Sequence, residues 1–386
     1  MYKKNLVFIA SCLGMLIFGV VLISLGSILP SITQKFALDE ISVGTLASIL
    51  PFGILLGSLI FGPIVDRYGY KNLLIICSFL VLIGLEGIAL STSLFVLQVS
   101  IFIIGFGGGV INGGTNALVA DISAESKGAN LSLLGVFFGI GALGMPSVLG
   151  LLSKSFSESS IISTVGIFVI IPILFFILIR FPEPKRPQGF SIKNGVALLK
   201  DSIILLMGFV LFFESGVEGI VNNWTTTYLI KDMNIDQSNA LYALTIFVAS
   251  MTVTRLILGG VLKNIPSFIV FYISLSFSLA GTIIMLSVKS YDLSLVGLIL
   301  LGIGFAGVFP IILGYVGEIY SNISGTAFSI VFVIALIGNM LINYSVGLIS
   351  HSFGIQNFTI VLLICLILMI VLFSFSIKKI SSKIKI

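Results

Sequence analysis

The sequence is poor in charge. Only 9% of its 386 residues are Asp, Glu, Lys or Arg, whereas 58% are hydrophobic, and the mean hydropathy is +1.23. A water-soluble globular domain carries roughly 25% charged residues. This deficit therefore excludes an ordinary soluble protein, and the composition is that of an integral membrane protein.

Residues that build catalytic and metal sites are also scarce. The chain has one His, three Cys and one Trp. Its cysteines lie inside apolar runs, which argues against a disulfide framework or a metal site. The sequence has no paired intramembrane Asp, no Ser/His arrangement and no Gly-Lys-Ser/Thr phosphate-binding loop. We therefore predict that the protein is not an enzyme, that it needs no cofactor or metal, and that any transport it performs uses a gradient.

Long apolar runs recur along the whole chain. Each is long enough for a helix to cross a hydrocarbon core about 30 Å thick, which takes roughly 20 residues. Barrel strands would give short alternating segments instead. We predict an all-α integral membrane protein with twelve transmembrane helices. The predicted spans are 5–30, 43–66, 72–92, 95–120, 130–153, 161–181, 202–229, 238–262, 267–288, 293–318, 325–350 and 357–377.

The distribution of basic residues predicts the orientation. With the N-terminus inside, fifteen Lys and Arg residues are cytoplasmic and four are outside. Positive charge accumulates on the cytoplasmic side of membrane proteins, so we predict a multi-pass protein of the cell membrane with both termini cytoplasmic. The net charge of +5 reflects this sorting. The predicted partners are thus the lipid bilayer and a small-molecule solute rather than nucleic acid, and we expect a monomer.

The chain repeats itself. A constant offset of 197 places Gly62 on Gly259 and Asp121 on Glu318 without a gap, which indicates duplication. A basic segment containing Pro separates the copies. We predict an N-terminal six-helix bundle, a cytoplasmic linker and a C-terminal six-helix bundle with a short basic tail, at residues 1–181, 182–201 and 202–386. Bundles with an even number of spans are related by a pseudo-twofold axis along the membrane normal, with the solute site between them and alternating access.

The segment GPIVDRYGYK, Gly62–Lys71, follows span two. It resembles the signature loop of the major facilitator superfamily, and the six-plus-six plan is similar over the whole chain. Tyr70 stands where the family pattern usually has a basic residue. The resemblance implies a secondary transporter with alternating access. We assign gating or conformational roles to this loop, to acids at cytoplasmic helix ends and to one span-eight Arg: Gly62, Asp66, Arg67, Gly69, Lys71, Asp121, Arg255 and Glu318.

Span seven contains FFESGVEGIVNNWTTTYL. In a helix, Glu214, Glu218, Asn222 and Thr226 step by four and form one polar face about 18 Å long. An intramembrane carboxylate is costly unless it is paired, protonated or in a wet cavity, so it is a functional candidate. We predict ion coupling at Glu218 and Glu214, with Glu218 favoured. The alternatives are a structural hydrogen bond or a salt bridge to Arg255.

Amide side chains recur in spans four, seven and eleven. Amides offer donors and acceptors that suit a polyhydroxylated solute, although such residues also join helices. The single Trp is suited to stack on a sugar ring or to anchor at the membrane interface. By contrast, Gly105, Gly109 and Gly113 in span four form a packing face. The candidate substrate-binding residues are Asn112, Asn116, Glu218, Asn222, Asn223, Trp224, Asn339 and Asn343.

Glu218, Trp224 and Thr227–Leu229 also resemble the seventh span of the superfamily branch that includes the fucose and glucose/galactose cation symporters. This resemblance implies transport of a small polar solute, a sugar, coupled to an H⁺ or Na⁺ gradient. An efflux antiporter for drugs or metabolites is the alternative, although span five only loosely resembles the Gly-Pro-rich signature of drug antiporters. A receptor that binds the same solute without moving it is a third hypothesis.

Overall fold

The computed structural model describes residues 2–38, 40–123, 127–152, 155–184, 198–287 and 289–384. Every regular element within these ranges is a helix. The α-helices are α1 Lys4–Lys35, α2 Glu40–Tyr68, α3 Tyr70–Ala89, α4 Leu94–Ile122, α5 Lys127–Leu152, α6 Glu158–Phe168, α7 Ile170–Leu178, α8 Ser202–Met233, α9 Gln237–Asn264, α10 Ser267–Ser287, α11 Tyr291–Ile319, α12 Ser324–Phe353 and α13 Phe358–Ile384. Short 3₁₀ turns at Ser321–Ile323 and Ile355–Asn357 precede α12 and α13.

Twelve helical segments of the described chain are long and apolar enough to cross a membrane, which confirms the predicted number. The sixth segment joins α6 and α7, which are interrupted at Val169. Pro172 follows this break and has no N–H to donate one turn back, so a regular helix is interrupted there. The seventh extends beyond its predicted end to Met233, where Asn234 adopts a left-handed conformation with φ of 55° and ends α8.

The glycines of span four form the predicted packing face. A Cβ atom on Gly105 would lie 2.5 Å from the Leu50 carbonyl oxygen, and one on Gly109 would lie 2.3 Å from that of Ile54. On Gly113 it would meet the Phe61 ring at 2.2 Å. Only glycine permits such close approach, so α2 and α4 pack backbone against backbone.

The chain divides into two compact units. Unit 1 comprises Met1–Ile122, Phe137–Gly195 and Tyr320–Ser329, and unit 2 comprises Ser123–Val136, Val196–Ile319 and Ile330–Ile386. The start of α5 therefore belongs to unit 2 and the start of α12 to unit 1. The predicted boundaries at 181 and 202 stay a prediction. Residues 185–197 of the predicted linker and 385–386 of the predicted tail lie outside the described residues.

The repeat is visible in hydrogen bonds as well as in sequence. In unit 1, the Ser329 hydroxyl donates to the Ser58 carbonyl oxygen. In unit 2, the Ser132 hydroxyl donates to the Arg255 carbonyl oxygen at 2.7 Å. The two donor residues are 197 positions apart in the sequence, and so are the two acceptor residues. The two units thus use equivalent positions to join equivalent helices, which allows one unit to be compared with the other residue by residue.

Candidate functional site

The polar face of α8 lies in unit 2. The Asp201 side chain accepts from the Ile203 N–H at 2.9 Å and so caps the start of the helix. The helical period then places Glu214, Glu218 and Asn222 on one face. Glu214 is only 1% exposed, whereas Glu218 and Asn222 are half-buried. The second carboxyl group of this face is therefore more accessible than the first.

Glu214 is buried beside another charged residue, Arg255 of α9, which is 7% exposed. The Arg255 guanidinium and the Glu218 carboxyl both lie within electrostatic reach of Glu214. No hydrogen bond of normal geometry is made by either Glu214 oxygen or by Arg255 Nε within the described residues. A Cβ atom on Gly135 would lie 3.0 Å from Arg255 Cδ. The guanidinium thus lies against α5, close to the buried Glu214 side chain.

A chain of amides joins α8 to α12. Asn343 Nδ2 donates to the Asn339 carbonyl oxygen at 2.8 Å, and Asn339 Nδ2 donates to the Ser215 carbonyl oxygen at 2.7 Å. Asn343 Oδ1 accepts from Asn223 Nδ2 at 3.0 Å and from Trp224 Nε1 at 3.3 Å. The structure therefore brings four of the predicted residues together. We name the set Asn223, Trp224, Asn339 and Asn343 the amide cluster.

Two features of the amide cluster are not evident from sequence. A Cβ atom on Gly219 would lie 2.5 Å from Asn339 Nδ2 and 2.6 Å from Asn343 Nδ2, so only glycine accommodates both amides on α8. Ser215 is an acceptor that the sequence reasoning missed. Its position next to Glu214, in the middle of the polar segment of span seven, could have marked it as a candidate.

Trp224 is held in a defined orientation. Its indole N–H is bonded to Asn343, and its ring lies 3.6 Å from the Cβ position of Gly347 on α12. The side chain is half-buried. A ring whose N–H is bonded in this way presents its apolar surface in a defined orientation.

Replacing Asn343 with Leu is expected to shift the intrinsic fluorescence of the protein to shorter wavelength, because the indole N–H loses its acceptor. Trp224 is the only Trp, so the emission spectrum reports on this residue alone. Asn222→Leu is the matched control, because the Asn222 amide donates to the Glu218 carbonyl oxygen instead. Superimposable spectra of wild type and Asn343→Leu in detergent solution would show that this hydrogen bond is not made.

The other predicted amide pair belongs to unit 1. Asn116 Nδ2 on α4 donates to the carbonyl oxygen and Oδ1 of Asn112, at 2.9 and 3.0 Å. Asn116 is 2% exposed and lies near the Met15 sulfur, whereas Asn112 is half-buried. Asn112 is thus the more exposed side chain of the pair.

The side chain of Asp66, a residue of α2, contacts the start of α12, and both lie in unit 1. It is 1% exposed, and its Oδ2 accepts from the Thr326 N–H at 2.9 Å and from the Thr326 hydroxyl at 2.7 Å. A Cβ atom on Gly62 would lie 2.4 Å from the Gly325 carbonyl oxygen. A carboxylate at a helix N-terminus satisfies free N–H groups and complements the helix dipole. The signature loop is therefore bonded to the first turn of α12.

Tyr70 and Asp121 extend this contact. The buried Tyr70 hydroxyl donates to Asp121 Oδ2, and the Ser324 hydroxyl donates to Asp121 Oδ1 at 2.6 Å. Tyr70 thus bonds an acid although it replaces the basic residue of the family pattern. Thr326 and Ser324 were not identified from sequence.

The other predicted gating residues make different contacts. Three of them belong to the signature loop, and one lies in unit 2. Lys71 Nζ donates to the Ile177 and Ile179 carbonyl oxygens at 2.7 and 3.0 Å, which places it at the end of α7. Gly69 has φ of 79°, a conformation that favours glycine. The Arg67 guanidinium lies 5.0 Å from the centre of the Tyr68 ring. In unit 2, Glu318 is exposed near the end of α11.

The sequence profile of the Major Facilitator Superfamily matches this chain over residues 7–324 and again over 207–385. The chain belongs to the major facilitator superfamily. This major facilitator protein is accordingly a multi-pass membrane transporter that moves a small solute, and not an enzyme. The second match reflects the duplication of the fold.

Relatives and solved structures agree with the family. The glucose/mannose transporter GlcP of Bacillus subtilis (strain 168) is 26% identical over 352 residues, which is 85% of this chain and 84% of the relative. The crystal structure of the E. coli fucose:proton symporter FucP has a TM-score of 0.80 at 18% identity and covers 96% of this chain and 98% of that one. The proton:xylose symporter XylE also scores 0.80, at 15% identity with 97% and 95% covered. At these identities the two structures show the fold.

Proposed function

We propose that this major facilitator protein is a secondary active importer of a sugar, coupled to an H⁺ or Na⁺ gradient by alternating access. One observation carries the proposal: α8 carries a half-exposed intramembrane carboxylate, Glu218, together with the two α8 members of the amide cluster, Asn223 and Trp224. The similarity to a glucose/mannose transporter supports the same class of solute.

The amide cluster is suited to a sugar by its chemistry. A sugar presents hydroxyl groups that both donate and accept, together with an apolar C–H face. Asn339 and Asn343 are half-buried and supply amide donors and acceptors. The Trp224 ring supplies an apolar surface, and carbohydrate C–H groups pack on such rings. In unit 1, we assign the Asn112 amide of α4 to binding of the solute.

Glu218 is the proposed coupling residue because a coupling cation must reach it from water. Its side chain is half-buried, whereas Glu214 is 1% exposed. A carboxylate binds H⁺ covalently or Na⁺ as an oxygen ligand, and in either case its charge is neutralised. Glu214 and Arg255 then set the electrostatic environment in which Glu218 gains and loses the cation.

The gating roles and the topology are part of the same proposal. The bonds of Asp66 and Asp121 to the first turn of α12 support a gate made by the signature loop. The same loop includes Arg67, Gly69 and Lys71. In the second repeat we assign gating roles to Arg255 and Glu318. We propose cytoplasmic termini because the basic residues follow the positive-inside pattern. This sorting also accounts for the net positive charge, so we propose no nucleic-acid partner. We further propose a monomer.

Uptake of labelled glucose, mannose, fucose and xylose into proteoliposomes tests the proposal. With an imposed inward pH or Na⁺ gradient, at least one of these sugars is expected to accumulate above its external concentration, and ionophores that collapse the gradient are expected to abolish the accumulation. Empty liposomes are the control. Failure to take up any of the sugars under either gradient would overturn the sugar assignment. Extrusion of other solutes under the reversed gradient would then favour the efflux alternative.

A further inference from the structure

Unit 2 contains a cavity of about 340 Å³ that takes no part in the proposed binding of the solute or the coupling cation. It lies where the start of α5, the end of α9, the start of α10 and the end of α11 meet. Its volume falls in the range of small-molecule sites, about 300–1,000 Å³. The polar residues that line it are Lys127, Lys263, Asn264, Ser267, Tyr315 and Glu318.

The internal repeat shows what occupies the equivalent place in unit 1. The offset of 197 pairs Lys263 with Asp66 and Ser267 with Tyr70. In unit 1 the Asp66 carboxylate is buried and bonded to Thr326. The Tyr70 ring is 4% exposed, and its hydroxyl is bonded to Asp121. An anionic group and an aromatic ring therefore fill this position in the first repeat.

In unit 2 both groups are missing. Lys263 carries the opposite charge to Asp66, and Ser267 has no ring. The counterpart of Ser324 is Lys127, whose Nζ donates to the Gly317 carbonyl oxygen at 2.9 Å and is thereby held at the cavity wall. Glu318 is the only carboxylate among the described lining residues. The two lysines exceed it by one positive charge.

We propose that this cavity binds a phosphate-bearing anion, which takes the place that the Asp66 carboxylate occupies in unit 1. The ammonium groups of Lys127 and Lys263 supply the charge. Asn264, Ser267 and Tyr315 supply neutral donors, and Ser267 is the first residue of the 21-residue helix α10, whose N-terminal N–H groups attract anions. Glu318 favours a ligand that also carries a hydroxyl donor, which is the P–OH of a hydrogen phosphate or a glycerol hydroxyl of a phosphatidylglycerol headgroup. The phosphate belongs to a free phosphate compound or to a phospholipid headgroup.

Thermal unfolding of the full-length protein in neutral detergent tests the inference. Inorganic phosphate is titrated against chloride of equal ionic strength, and retention of phosphatidylglycerol is measured in parallel by native mass spectrometry. Lys263→Gln is expected to weaken binding by about tenfold or more, because it removes a charge-assisted hydrogen bond to the anion. Two separate variants, Lys263→Asp and Ser267→Tyr, each restore one group of unit 1, and each is expected to abolish binding. Lys200→Gln, at an exposed lysine outside the cavity, is the control.

Stabilisation by phosphate that is lost in Lys263→Asp and kept in Lys200→Gln would support a free phosphate ligand. Retained phosphatidylglycerol with the same dependence on the variants, but no phosphate effect, would support the lipid headgroup. No response to either probe, or an equal response in Lys263→Asp and wild type, would overturn the inference. Ser267→Tyr keeps both lysines, so it remains informative if Lys263→Asp does not fold. The test does not measure transport, and its result is independent of the sugar proposal.

Discussion

Glu218→Gln is expected to abolish accumulation of the solute while leaving exchange of solute across the membrane intact. Gln keeps the size of the side chain and part of its hydrogen bonding but cannot bind or release a proton. For one proton per solute and an imposed potential of about 100 mV, the driving force is roughly 2.3 kcal/mol. This free energy supports an accumulation of roughly 50-fold, which should fall to equilibration in the variant. Uptake and counterflow in the same proteoliposomes measure both quantities.

Two further variants make this experiment decisive. Glu183→Gln removes an exposed carboxylate outside the membrane-spanning helices and is expected to leave accumulation unchanged. Glu214→Gln removes the buried carboxylate beside Arg255. Coupling at Glu218 would be contradicted if Glu218→Gln still accumulated the solute and Glu214→Gln did not.

Asp66→Asn is expected to lower the free energy of unfolding by about 1.5–3 kcal/mol, the usual contribution of a hydrogen bond to a charged group. The Asp66 carboxylate accepts two hydrogen bonds from Thr326 in a position that is 1% exposed. The amide oxygen of Asn can accept both bonds but carries no full charge, so the charge assistance is lost, and the second oxygen is replaced by an NH₂ group that needs acceptors of its own. The measurement is chemical denaturation in detergent, with the transport rate determined on the same preparation.

A double-mutant cycle with Thr326→Val, which removes the hydroxyl and keeps the backbone N–H, separates the hydroxyl bond to Asp66 from other effects of the substitution. The loss from Asp66→Asn is expected to be smaller when Thr326 is already Val. Asp236→Asn is the control, because Asp236 also caps a helix, accepting from the Asn239 N–H at 3.0 Å, but is exposed. Equal destabilisation by Asp66→Asn and Asp236→Asn, with no coupling to Thr326, would argue against a special role of the buried bond.

Much of the fold could be predicted because hydropathy is a local property. Each apolar run is long enough to span the bilayer whatever its neighbours are, and the twelve predicted spans agree with the twelve observed segments. The step of four along α8 likewise required only helical geometry. The interruption at Val169 was not predicted, because a single Pro in a long apolar run does not by itself locate a break.

The sequence by itself determined the class of the protein, the number of spans, the duplication and the identity of the polar residues within the membrane. Only the tertiary structure decided which of them meet. Glu214 and Glu218 are one helical turn apart, yet only the first is buried beside Arg255. Asn343 contacts Trp224 across more than a hundred residues of chain. Such differences depend on how helices cross and on which glycines let them approach, and neither is written in the composition of any one span.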